Sequence, residues 1–234
     1  MHIFYAPDID GDEYILDERE SKHSVRVLRM KEGTPVRLID GKGGLYLAVI
    51  TEADPRRCRL TITSSTLDYE IRDYKLHIAI SPLKNYERFE LFIEKSVEIG
   101  IDEITPLICF NTEKPGIKKE RANNLIISAM KQSIKSTLTR LNDPCLFNDF
   151  IGSPKGGIKM IAHCSTDSGR SKVGEIYTGG NDAVMLIGPE GDFTGHEIKL
   201  AAEAGYLPVH LGKSRLRSET AGIAACYSIY YINQ

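Results

Sequence analysis

The sequence contains no C-x-x-C pair, and its five cysteines (Cys58, Cys109, Cys145, Cys164, Cys226) are scattered and odd in number. That pattern excludes a disulfide framework and a structural zinc site, and leaves free thiols in a reducing compartment as the expectation. No metal is expected. No apolar run approaches the length of a membrane span, so no membrane is expected among the partners. The opening residues MHIFYAPDIDGDEY hold neither a basic nor an apolar stretch. No signal peptide is therefore expected, and the default location is cytoplasmic. Three common chemical signatures are missing as well. No G-x-G-x-x-G follows an expected strand, which argues against a dinucleotide-binding Rossmann fold. The run LGKS at 211–214 invites a phosphate-loop reading, but G-x-x-x-x-G-K-[ST] needs a glycine where Leu207 stands. There is no G-x-S-x-G elbow, so hydrolase chemistry has no constellation to rest on.

What is present is an ordinary globular composition. The 234 residues are 41% hydrophobic and 26% charged, enough for one large domain or two smaller ones with real cores. A net charge of −2 does not advertise nucleic-acid binding, but the distribution says more. Residues 114–140 hold Lys114, Lys118, Lys119, Arg121, Lys131, Lys135 and Arg140 against the single acid Glu120, whereas residues 8–20 are rich in acids. Such separation can build a phosphate-facing surface, but charge alone favours a solvated helix face.

Periodicity divides the chain near residue 70. In residues 1–70, PVRLID and LYLAVIT flank the loop GKGG as a hairpin, and RCRLTITSS follows a second turn, DPR. Residues 18–30 read as a helix whose spacing puts Lys22, Arg26 and Arg29 on one face. A small β-barrel with one helix fits this half. Residues 71–234 alternate instead between buried strand runs (LHIAIS, ITPLICF, KMIAHC, AVMLIG, LPVHL) and helical stretches. The helices expected are KNYERFELFIEKSVEIG ending at Gly100, residues 118–137, GHEIKLAAEAG and SETAGIAACYSIYYI. This is an α/β domain with a mainly parallel sheet.

In such sheets the ligand crevice lies beyond the carboxyl ends of the strands. Two loops combine that position with unusual composition. IGPEGDF, 187–193, holds the carboxylate of Glu190 between two glycines, and a plain turn explains the glycines better than the acid. LGKSRLRSET, 211–220, carries Lys213, Arg215 and Arg217 just ahead of Ser218, an expected N-cap for the last helix.

These two loops in this order resemble the paired signature of the RsmE-type ribosomal RNA (uracil-N3)-methyltransferases of the SPOUT superfamily. HSVRVLRMKEGTPVRLIDGKGGLY, EKSVEIGIDEITPL and AMKQS are similar to further elements of that family, so the resemblance spans the chain. It departs at three places. Asp192 stands where a second glycine is common, Ile134-Lys135 replaces a Gly-Arg pair, and Lys213-Ser214 replaces a Gly-Pro or similar pair.

The resemblance implies an N-terminal PUA-like β-barrel over residues 1–70. It also implies a trefoil-knotted methyltransferase domain over 71–234 that works as a homodimer on ribosomal RNA or the small subunit. It implies S-adenosylmethionine as cofactor, held by Leu186, Ile187, Gly188, Pro189, Glu190 and Gly191 of one loop. The other loop would contribute Leu211, Gly212, Ser214, Arg215 and Leu216, with the turn near His163 and Cys164 as a third contributor. Methylating uridine N3 requires loss of its proton and stabilisation of charge on the uracil carbonyls. Arg217 is expected in that electrostatic role, because a cation just outside a helix N-terminus is unfavourable without another purpose. Glu219 is expected to orient Arg217 or to take part in proton transfer. Phosphate contacts are expected from Lys22, Arg26, Arg29, Arg56, Arg57 and Arg59, extended by Lys131 and Lys135. The alternatives are a knotted methyltransferase acting on another RNA and a non-catalytic RNA-binding protein.

Overall fold

A computed structural model describes residues 1–165 and 169–234. They form two compact units, Met1–Ile71 with Met130–Leu138, and Arg72–Ala129 with Thr139–Gln234.

The first unit is built on a five-stranded sheet of β1 (Ile3–Tyr5), β2 (Glu13–Ile15), β3 (Pro35–Ile39), β4 (Leu45–Glu52) and β5 (Arg59–Thr66). The strand order is β1-β3-β4-β5-β2, and the two edge strands do not pair, so the sheet curls into a half-barrel, in keeping with the PUA-like barrel expected. Alternate positions point inward, and Phe4, Leu16, Val36, Leu38, Ile50 and Leu60 fill the core. The expected hairpin is present. Its GKGG loop is held by Asp40, whose Oδ1 accepts from the amides of Lys42 (2.7 Å) and Gly44 (2.8 Å).

The helix expected over 18–30 is shorter and changes type. Helix α1 (Glu18–Lys22) starts at Asp17, whose carboxylate accepts from the Glu20 amide at 2.7 Å. At His23 it widens into a π-helical turn, His23–Val27, closed by the Leu28 amide donating to the His23 carbonyl at 3.0 Å. Arg29 then takes a left-handed conformation, φ 55°. It lies beyond the helix end, so the single helical face expected for Lys22, Arg26 and Arg29 does not form.

Met130–Leu138, expected within the second domain, groups with the first unit. The Gly43 amide donates to Ser136 O at 3.0 Å and the Leu138 amide to Gly41 O at 2.9 Å. Within this segment Ile134 has φ 58°, a left-handed conformation that costs a β-branched residue more than most. Glycine is what the family resemblance leads one to expect there, and the backbone supplies the reason. Ile134→Gly should raise stability by about 1 kcal/mol. Chemical denaturation checks this, and a lowered midpoint would mean that the half-buried isoleucine side chain contributes more than its backbone costs.

The second unit opens with β6 (Leu76–Ile80), α2 (Tyr86–Ile99), β7 (Glu103–Ile108) and α3 (Lys119–Ser133), the last residues of α3 counting with the first unit. Short pieces follow that the periodicity did not reveal: β8 (Arg140–Leu141), β9 (Cys145–Leu146) and α4 (Phe147–Gly152). Then come β10 (Ile158–Ala162), β11 (Ser171–Lys172), α5 (Val173–Ile176), β12 (Ala183–Ile187), α6 (Gly195–Glu203), β13 (Leu207–His210) and α7 (Ser218–Ile232). All pairings are parallel, in the order β11-β13-β10-β12-β6-β7-β8, with β9 also on β7. Strands β6 and β12 are buried at every position, as central parallel strands must be.

Helix α2 buries Phe89, Phe92, Ile93 and Val97 and stops at Gly100, whose φ of 122° few other residues adopt. Helix α7 packs on α2, β6 and β12. Gly222 permits this approach: a Cβ there would lie 2.6 Å from a Phe92 ring carbon. Strand β13 is separated from β6 by β10 and β12, yet α7 follows it directly. Residues 211–217 therefore carry the chain back past the carboxyl ends of both intervening strands.

Candidate active site

The loops following β10, β12 and β13 leave the sheet at neighbouring carboxyl ends, because those strands are adjacent and parallel. They enclose a cavity of about 230 Å³. From the β12 loop, Ile187, Gly188, Pro189 and Glu190 line it; from the β13 loop, Leu211, Gly212, Ser214, Arg215 and Leu216 do. His163, Cys164 and Arg170 contribute from the segment after β10. Two expected residues do not line it. Leu186 is fully buried within β12, and Gly191 lies against Asn111, whose Cβ is 3.1 Å from where a Gly191 Cβ would sit.

The β12 loop is fixed from several directions. Glu190 Oε1 accepts from the Lys84 amide at 3.0 Å, so the acid between the glycines serves in part as a tether. Asn111 Nδ2 donates to the carbonyls of Gly191 (3.2 Å) and Asp192 (3.0 Å). Asp192 has φ 62°, which explains why glycine is common at this position and why aspartate is among the substitutes that tolerate it. Its Oδ2 accepts from the Cys164 amide at 2.7 Å, tying the β12 loop to the β10 loop, and its Oδ1 accepts from the Phe193 amide at 2.8 Å. Glu197 is buried; it completes a capping box with Thr194 and accepts from the Phe110 amide at 2.9 Å. Burial holds His163 below the usual histidine range, against an opposing pull from Asp192, so its ring is neutral near pH 7.

On the wall where α2 and α7 begin, the structure revises two expectations. The N-cap of α7 is Arg217, with no side-chain cap, and Ser218 is already the first helical residue. Arg217 lines the cavity, but Glu219 does not. Glu219 is 6% exposed and faces Arg88 of α2, with Nε to Oε1 at 3.8 Å, rather than Arg217. Arg88 lines the cavity and was not anticipated. Its place in the first turn after β6, at a strand's carboxyl end, was the available signal.

The cavity thus combines bare backbone at Gly188 and Gly212, apolar surface from Ala162, Ile187 and Val209, and the guanidinium groups of Arg88, Arg170, Arg215 and Arg217. No cluster of metal-ligating side chains occurs among the described residues.

The basic residues expected to meet phosphate fall into two sets. Lys22, Arg26, Arg29, Arg56 and Arg57 are exposed. The Cys58 amide donates to Ser21 Oγ at 3.0 Å, which draws the Arg56–Arg57 turn against α1. The other three are engaged by carboxylates: Arg59 with Glu13 (2.9 Å) and Glu52 (3.5 Å), Lys131 with Glu20 (2.6 Å), Lys135 with Glu70 (3.8 Å). Lys119 pairs with Asp143 at 2.5 Å and Arg121 with Glu90, so much of the positive excess of 114–140 is answered by distant acids.

Comparison with known proteins decides the family. Residues 70–230 match the RNA methyltransferase domain model, and residues 16–63 the RNA methyltransferase PUA domain model. The Ribosomal RNA small subunit methyltransferase E of Synechocystis is 30% identical over 87% of this chain and 68% of its own length. The chain belongs to the small subunit methyltransferase E family. The family member of the same name from Aquifex aeolicus is 25% identical over 96% of both chains. Among solved structures, a protein described as a probable rRNA-methyltransferase from Porphyromonas gingivalis superposes with a TM-score of 0.92 at 39% identity, covering 100% of this chain and 98% of its own. The methyltransferase E of Neisseria gonorrhoeae, solved bound to S-adenosyl methionine, gives 0.90 at 27% identity, covering 100% and 98%. No helix among the described residues is long and apolar enough to cross a membrane.

Proposed function

We propose that this chain methylates N3 of a uridine in small-subunit (16S) ribosomal RNA with S-adenosylmethionine as donor. The observation that carries the proposal is the convergence of both signature loops on one cavity beyond the carboxyl ends of β10, β12 and β13. The residues fit the cofactor. At Gly212 a Cβ would meet no atom within 4 Å, so the lining is open backbone suited to a flat ring, beside apolar surface and cations able to meet a carboxylate. Gly188, Pro189, Leu211, Gly212 and Leu216 would hold the adenosine part, with Ile187, Glu190, Ser214 and Arg215 completing the site. When bound, the cofactor would supply an electrophilic methyl to the freed lone pair of N3, its sulfur keeping the electron pair of the broken carbon–sulfur bond. Arg217 stabilises the charge left on the base once the N3 proton has gone to solvent or a base.

The knotted path implied by the resemblance agrees with the return of residues 211–217 past β10 and β12. A homodimer is supported by α7, where Tyr227 and Tyr231 are 53% and 66% exposed and stack with centroids 6.0 Å apart. A cytoplasmic location follows from the substrate. Nucleoside mass spectrometry of ribosomal RNA, from cells lacking the protein and from cells in which it is restored, tests the function. N3-methyluridine present in both overturns it.

RNA is held on the first unit mainly through phosphate contacts from Lys22, Arg26, Arg29, Arg56 and Arg57. Arg59, Lys131 and Lys135 contribute less, because each already has a carboxylate partner. Replacing Arg26 and Arg29 together by alanine should weaken RNA binding. It should also flatten the slope of log affinity against log salt by about two units, roughly one for each lost contact. Binding isotherms at several salt concentrations measure it, and cofactor affinity should not change.

A further inference from the structure

Arg88 has no part in the function as stated so far, yet it lines the same cavity as Arg217. The two side chains come from the starts of the packed helices α2 and α7. Arg88 is also the one with a held position. Its Nε lies 3.8 Å from Glu219 Oε1; the Arg88 side chain is 37% exposed and that of Glu219 only 8%. This guanidinium is the ion-pair partner of a carboxylate largely removed from water, and the pairing restrains both side chains. At 3.8 Å the pair makes no hydrogen bond, which leaves the guanidinium donors available to a ligand.

Uracil N3 is flanked by two carbonyl oxygens, O2 and O4. When N3 loses its proton, the negative charge is shared onto both. One arginine can serve one oxygen. Building on the uridine-N3 reading, we propose that Arg88 is a second catalytic residue, donating to one uracil carbonyl while Arg217 donates to the other, and that Glu219 is the positioning residue for Arg88. Arg88 holds no proton in flight; it lowers the energy of the deprotonated base that then accepts the methyl.

The test uses the full-length protein and an RNA carrying the target uridine, with single-turnover rates measured across pH. Arg88→Ala should lower the methyl-transfer rate by about 100-fold, the loss typical of one positioned donor. Arg88→Lys should lose less, about 10-fold, because a compact ammonium keeps the charge without the planar fork. Glu219→Gln should lower kcat with KM for the cofactor unchanged. In the Arg88 variants the rise of rate with pH should move to higher pH, since N3 is harder to deprotonate. The remaining titratable groups of the lining, His163, Cys164, Glu190, Asp192 and His210, are common to all variants and cannot produce the difference. RNA with 5-fluorouridine at the target, whose N3 is more acidic, should shrink the deficit. A structural role for Arg88 would leave both the pH profile and the fluorouridine response as in the wild type. Cofactor binding by calorimetry confirms that the variants are folded.

Normal turnover by Arg88→Ala, or a deficit indifferent to pH and to fluorination, overturns the role of Arg88 alone. A wild-type protein that transfers methyl to the RNA but forms no N3-methyluridine overturns the functional reading and this role together.

Discussion

Replacing Arg217 by alanine is expected to slow methyl transfer by about two to three orders of magnitude, with S-adenosylmethionine and RNA still binding. Arg217 is exposed on the cavity wall and acts as the N-cap of α7 through its backbone alone, its carbonyl accepting from the Ala221 amide at 2.7 Å. Alanine keeps that carbonyl, so the helix start survives. Removing a cation beside the positive end of a helix dipole should, if anything, favour folding. The loss would therefore fall on the step in which charge develops on the base. Single-turnover rates alongside calorimetric cofactor affinity separate the two effects. Near-normal turnover would remove Arg217 from the chemistry, and lost cofactor affinity would move it from the base to the donor.

Gly212→Val is expected to weaken cofactor binding by about 10- to 100-fold, through the backbone rather than through crowding by neighbouring protein atoms. A Cβ at Gly212 would meet no protein atom within 4 Å. What the site demands is φ 127°, a conformation that residues with a Cβ rarely adopt. Gly212→Ala should consequently do nearly as much damage as valine. Calorimetry on both variants distinguishes the causes: a mild alanine effect beside a severe valine effect would restore the crowding explanation.

The regular elements around the site were legible because their periodicity is set by burial. Strands β6 and β12 have no exposed position, and α2 buries one stripe, so each announces itself in hydrophobic pattern alone. The pieces β8, β9, β11 and α5 were not legible, being two to four residues long and shorter than any period. The π-helical turn at His23–Val27 was hidden for another reason, since five residues of helical composition look alike whether bonded four or five apart. Both cavity loops were legible from composition. Pairings across sequence distance were not. Glu219 was assigned to the nearby Arg217, but its partner Arg88 lies on the other helix. Likewise nothing local marks Lys131 and Lys135 as neutralised by Glu20 and Glu70. The departures at Ile134 and Asp192 read as losses of glycine; the structure shows both in the left-handed conformation that glycine would have served.

Asp192 also bears on the thermodynamics of ligand capture. By accepting from the Cys164 and Phe193 amides, its carboxylate joins two of the three cavity loops. A glycine at the same position would satisfy the backbone and leave those amides to solvent. In this chain the conformational entropy of that part of the rim is lost during folding, before any ligand arrives, so association has less ordering left to oppose it. A chain with glycine there would meet that loss on binding instead, and with other contacts equal would bind more weakly.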